Sequence, residues 1–139
     1  MDRKILVIDD DSLILMIHEA KLEDETNCAC AYFDNAKSAL THIVESGTST
    51  QFLLLLDINM PVMNGWDLLD EIKNYPFKDN ILTIMVTSSV NEADKQKAKQ
   101  YNMVLDFLSK PLKTRHIDRL RNIAEVAPFF KEAVPNQNV

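Results

Sequence analysis

The sequence predicts an α/β fold, a parallel sheet covered by helices on both faces and folded as one domain. Short apolar runs alternate with helix-period stretches from Ile5 to Ala124, the pattern of successive strand–helix–strand units. The run Phe52-Leu53-Leu54-Leu55-Leu56 is apolar at every position, as a strand buried on both faces has to be. The length of 139 residues fits a single domain, and 46% apolar residues can fill its core. With 26% charged residues, 2 Gly and 5 Pro, collagen-like, low-complexity and disordered classes are excluded.

The elements follow in order. Ile5 to Ile8 is the first strand. Ser12 is placed to cap the next helix, in which Leu13, Met16, Ile17 and Ala20 share one face. Cys28 to Phe33 is the second strand, with Cys28 and Cys30 on one face as core residues. Asp34 or Asn35 caps a helix containing Ala36, Leu40, Ile43 and Val44, and Gly47 stops it. Phe52 to Leu56 is the third strand and 58–65 a loop. Trp66, Leu69 and Ile72 lead a short helix that ends before Pro76. Ile81 to Val86 is the fourth strand. Asn91 caps a helix over 92–101 that offers only Ala93, Ala98 and Tyr101 to an inner face, so packing holds it loosely. Asn102 suits a left-handed helix end. Met103 to Leu108 is the fifth strand. Ile117, Leu120, Ile123 and Ala124 mark the last helix. From Ala127 the absence of a period predicts a frayed tail, and Phe129-Phe130 either pack back or stay exposed. His18, His42 and His116 fall on predicted helices and are expected at the surface or its boundary.

No apolar run exceeds six residues, far below the ~20 that span a bilayer. No apolar signal stretch precedes Asp9, and two cysteines cannot build a disulfide framework. A cytoplasmic protein that does not enter membranes is expected. The net charge is −6, with six Lys/Arg against fifteen Asp/Glu in residues 1–80 and nine against six in 81–139. The basic excess of the second part lacks the basic and aromatic motifs of a nucleic-acid reader, so no direct nucleic-acid contact is expected.

In an open parallel sheet, function sits at the carboxyl ends of the strands. Those ends carry Asp9-Asp10-Asp11, Asp57, Thr87-Ser88-Ser89 and Lys110-Pro111, none of which a core requires. Clustered carboxylates repel unless a cation joins them or they protonate. Oxygen ligands favour Mg²⁺, with Mn²⁺ also suited. Lys110 adds a fixed positive charge, the Thr87 hydroxyl can donate to a phosphoryl oxygen, and an Asp carboxylate can attack phosphorus. The set makes a phosphoryl-transfer site. Flavin, dinucleotide and P-loop nucleotide binding are disfavoured, because three acids follow strand one and no glycine-rich phosphate loop occurs.

Taken together, Ile5-Leu6-Val7-Ile8-Asp9-Asp10, Leu56-Asp57-Ile58-Asn59-Met60-Pro61 followed by Asn64-Gly65, Met85-Val86-Thr87-Ser88 and Lys110-Pro111 resemble the receiver domain of two-component response regulators. The chain looks like a stand-alone, chemotaxis-type receiver over residues 1–127, with 128–139 as a C-terminal tail and no output domain. The resemblance implies a flavodoxin-like, doubly wound five-stranded parallel sheet in the order 2-1-3-4-5, with Asp9 and Asp10 beside Asp57. It implies that Asp57 accepts the phosphoryl group from the phosphohistidine of a sensor histidine kinase or histidine phosphotransfer protein. Asp10 would then bind Mg²⁺ directly, Asp9 mainly through water, and Asp57 and the Asn59 carbonyl would complete the protein ligands. Thr87 and Lys110 would hold phosphoryl oxygens, and a cis Lys110-Pro111 bond would aim the lysine inward. Gly65 would supply a positive φ in the acceptor loop. Asn59 and Ser89 stand where the family tunes dephosphorylation.

Signalling would couple Thr87 to Phe107, three positions before Lys110, and present residues 91–101, strand five and the last helix to a downstream protein. Such a chain would be a monomer or a phosphorylation-dependent dimer, and would catalyse only its own phosphotransfer and dephosphorylation. A phosphatase of the haloacid-dehalogenase type would instead use Asp9 as nucleophile and Asp11 as general acid, leaving Asp57 idle and Asp118 as a poorly placed metal ligand. An adaptor that binds partners without phosphorylation would leave the whole set idle.

Overall fold

The computed structural model describes residues 1–88 and 90–133. Five parallel strands form one sheet: β1 (Asp2–Ile8), β2 (Ala29–Phe33), β3 (Thr50–Leu56), β4 (Ile81–Thr87) and β5 (Val104–Ser109). Their order is β2-β1-β3-β4-β5, as the resemblance implied. Five α-helices alternate with them: α1 (Ser12–Leu22), α2 (Ala36–Ser46), α3 (Gly65–Ile72), α4 (Glu92–Ala98) and α5 (Thr114–Arg121). Short 3₁₀ turns cover Lys78–Asn80 and Ala127–Phe129.

Because side chains alternate along a strand, the sheet separates two cores. Leu6, Ile8, Leu54 and Leu56 pack with Ile43, Leu69 and Ile72 on the α2–α3 side. Ile5, Val7, Leu53, Leu55 and Val86 pack with Leu22, Ile117 and Leu120 on the α1–α5 side. Phe52 to Leu56 are all buried, which accounts for the unbroken apolar run. β1 registers Ile8 against Leu56 and against Phe33, so the chain leaves β1 and β3 side by side.

Several expectations are corrected. The N-cap of α1 is Asp11, whose carboxylate accepts the Leu13 and Ile14 amides, one residue before Ser12. Leu13, Met16 and Ile17 do share a face, but it faces solvent, with exposures of 62%, 68% and 40%. Leu15, His18 and Leu22 face the core instead. His18 and His116 are therefore buried rather than at the surface, because each spends a ring nitrogen on a backbone amide. Cys28 and Cys30 are half-buried at the rim of the core, Cys30 on the edge strand β2 and Cys28 just before it. Helix α4 stops at Ala98, and Asn102 is not left-handed, since its chain turns through Ala98–Tyr101 hydrogen bonds instead.

Residues 127–130 are not frayed. Phe129 and Phe130 are buried in the α1–α5 core, Phe130 bridges Thr26, and Arg121 pairs with Glu25 while donating to the Lys131 carbonyl. Apolar burial and a half-buried ion pair thus hold a segment that lacks any period. Residues 134–139 of the expected tail lie outside the described residues. Among the described residues, no helix is long and apolar enough to cross a membrane.

Candidate functional site

The sheet delivers its acids to one point. Asp9 follows β1 and donates its amide to the Phe33 carbonyl, while Asp57 follows β3 and donates to Ile8. Both side chains are buried and Asp10 is exposed. One carboxylate oxygen from each of Asp9, Asp10 and Asp57 lies within 4.8 Å of the others. From the far side, Lys110 Nζ donates to Asp9 Oδ2 at 2.8 Å and to Asp57 Oδ2 at 3.3 Å. Asp9 Oδ1 accepts the Asp11 amide at 2.9 Å. The cluster therefore holds three carboxylates against one lysine.

Electrostatics follow from that imbalance. Burial and the neighbouring Asp9 push the Asp57 pKa above the usual carboxylate range, with Lys110 opposing the rise. Burial pulls the Lys110 pKa down, but the hydrogen bond to Asp9 and the charges of Asp57 and Asp9 more than offset it, so it is raised. Added positive charge would relieve the acids.

Asp57 Oδ1 and Thr87 Oγ1 are buried with no hydrogen-bond partner. A polar atom left so costs about 1–3 kcal/mol, a cost that a ligand at the acid cluster would relieve. An all-oxygen donor set of this size fits Mg²⁺ or Mn²⁺ rather than zinc.

The acceptor loop is tightly drawn. Asn64 and Asp67 form a reciprocal cap on α3, and Gly65 N–H donates to Ile58 at 2.9 Å. Gly65 does not have the expected positive φ. A Cβ there would lie 2.5 Å from the Asp57 carbonyl oxygen, so glycine is needed for close approach. The left-handed residue of the loop is Val62, with φ 70° and a fully exposed side chain, and nothing in the sequence marks a β-branched residue for that conformation. Asn59 is exposed on the same loop.

Lys110-Pro111 is cis. Ser88 is exposed at the end of β4, and Ser89 lies outside the described residues. Phe107 is half-buried against the α3–α4 side of the core and lines a shallow groove of about 180 Å³ with Lys95, Ala98 and Lys99. Helix α4 buries none of its own residues. It is tied down just beyond its end, where Tyr101 stacks on Trp66 with ring centres 5.2 Å apart and donates to Asp70. Asp11 is spent capping α1, and Asp118 pairs with Arg121 on α5. Neither is free for the general-acid or metal-ligand work a phosphatase would ask of it.

Residues 5–122 match the family model "Response regulator receiver domain". An uncharacterized 14.6 kDa protein of Leptolyngbya boryana is 31% identical over 116 residues, covering 84% of this chain and 85% of that protein. The two-component response regulator ORR1 of Oryza sativa subsp. japonica is 30% identical over 127 residues, 86% of this chain but 54% of its own length. Among solved structures, a two-component response regulator from Cytophaga hutchinsonii superposes with a TM-score of 0.75 at 26% identity, covering 87% of this chain and 95% of that one.

Proposed function

Because the chain belongs to the response regulator receiver domain family, as the match over residues 5–122 shows, we propose that Asp57 is its phosphoacceptor. The observation that carries this is the convergence of Asp9, Asp10 and Lys110 on Asp57, with Asp57 Oδ1 and Thr87 Oγ1 buried and unpartnered beside them. An Asp57 oxygen attacks the phosphorus of a phosphohistidine on a sensor histidine kinase or histidine phosphotransfer protein. The new O–P bond forms as the N–P bond breaks, and the imidazole leaves with the electron pair. Lys110 and Thr87 take the phosphoryl oxygens. Asp9, Asp10, Asp57 and the Asn59 carbonyl would hold Mg²⁺, which would supply charge neutralisation. The apolar stripe of Leu13, Met16 and Ile17, which starts beside the acids, is a surface for the donor protein to cover.

A phosphoryl group adds about −1.5 to −2 charge. Thr87 turns toward it and vacates space, and Phe107 moves inward. The groove between α4 and β5, with the α5 face, then changes its affinity for a downstream protein. The working unit is the receiver fold together with the segment that packs Phe129 and Phe130 into its core. It acts in the cytoplasm as a signalling protein whose only chemistry is its own phosphorylation and dephosphorylation, as a monomer or a phosphorylation-dependent dimer, and without direct nucleic-acid contact. The test is labelling by acetyl phosphate with Mg²⁺. Label is expected on Asp57 and absent in Asp57→Asn, whereas label on Asp9 would favour the phosphatase chemistry.

A further inference from the structure

The loop between β5 and α5 carries Lys110, and its backbone donors can be accounted for one at a time. The Lys110 N–H donates to the Thr87 carbonyl at 2.9 Å, and Pro111 has no N–H. The Leu112 N–H donates to Nε2 of His18 at 3.1 Å, and the Lys113 N–H to Nδ1 of His116 at 3.0 Å. Two consecutive amides thus end on imidazole nitrogens, one from α1 and one from the first turn of α5. Both rings are buried.

His18 stands where a core would take a leucine. Accepting at Nε2 leaves the proton on Nδ1, and that nitrogen is buried without a partner. For the core alone the imidazole is a poor choice, so its use lies in the bond to Leu112. His116 likewise sits at the third helical position, where a side chain can reach back to the N-cap amide.

We propose that His18 and His116 are positioning residues that clamp residues 110–113, so that Lys110 Nζ stays on Asp9 and Asp57 where phosphoryl oxygens arrive. The proposal rests on the reading of Asp57 as phosphoacceptor. Neither imidazole touches the reacting atoms. Each acts through the loop, and a misplacement of about 1 Å of a charged group can cost up to 10²-fold in rate.

The experiment compares the full chain with His18→Leu, His18→Gln, His116→Leu and His116→Asn. The Asp57 labelling rate is followed against acetyl phosphate concentration, and Mg²⁺ affinity and unfolding temperature are measured alongside. Glutamine places a carbonyl acceptor near Nε2 of His18, and asparagine does so near Nδ1 of His116. The leucine variants are expected to label about tenfold more slowly or worse, and the amide variants within about threefold of the parent. Mg²⁺ affinity should not weaken, which a general collapse of the site would not allow. Leucine variants labelling at the parent rate would overturn the clamp while leaving Asp57 as acceptor, as would amide variants as slow as leucine or a parallel loss of Mg²⁺ affinity. If His18→Leu does not fold, the His116 pair decides by the same criteria. A parent chain that takes no label overturns the acceptor reading and the clamp with it.

Discussion

Acidification should unfold this chain partly through one imidazole. Burial holds the His18 pKa at about 4, with Asp9 opposing and Lys110 adding to the depression, against roughly 6.5 in an unfolded chain. The unfolded state therefore binds the proton more readily, and stability must rise with pH across this window. The contribution is complete above about pH 6.5 and is lost progressively toward pH 4. At pH 5 those two values correspond to a loss of about 2 kcal/mol, or a urea midpoint lower by about 1 M for an m-value near 2 kcal/mol/M. Replacing His18 by glutamine keeps an acceptor for Leu112 and removes the titration. Urea unfolding of parent and His18→Gln at pH 7 and pH 5 isolates the effect. Asp57, whose raised pKa acts with the opposite sign, and the depressed His42 and His116 are common to both chains. The parent should lose about 2 kcal/mol more than the variant. Equal losses would refute the assignment of His18 as a buried neutral acceptor.

Other substitutions probe the frame of the site and the fold. Gly65→Ala puts a Cβ 2.5 Å from the Asp57 carbonyl oxygen and should cost about 1–3 kcal/mol in urea unfolding, with weaker beryllofluoride binding measured by fluorescence. Val62→Asn relieves a β-branched residue at φ 70° and should stabilise by about 1 kcal/mol in the same assay, since the lost side chain touches only solvent. Phe129→Ala empties a fully buried ring position and should destabilise by about 3–5 kcal/mol, visible as a lower thermal midpoint, although the residue lies in a stretch with no sequence period.

How far such features can be read from sequence depends on what encodes them. Asp9, Asp10, Asp57, Thr87 and Lys110 are legible because polar residues at the ends of apolar strands have no structural excuse, and the parallel sheet then fixes where those ends meet. The all-apolar β3 is legible for the same reason. Helix α1 misleads because it is apolar on two sides. The richer stripe faces solvent, and the inner one is interrupted by His18, which reads as polar until its partner Leu112, 94 positions away, is known. Val62 and Gly65 owe their geometry to loop closure, which no local pattern records. Phe129 packs in one core with Ile5, Val7 and Leu22, residues far off in the sequence that no local pattern links to it.

The measurement that bears most directly on the acceptor assignment uses a protein donor. A histidine kinase carrying label on its phosphohistidine is mixed with the chain and Mg²⁺, and the peptides are mapped by mass. Transfer to the peptide containing Asp57, abolished by chelation and by Asp57→Asn, is the predicted result. Transfer that persists in Asp57→Asn, or label that maps to Asp9, would contradict it.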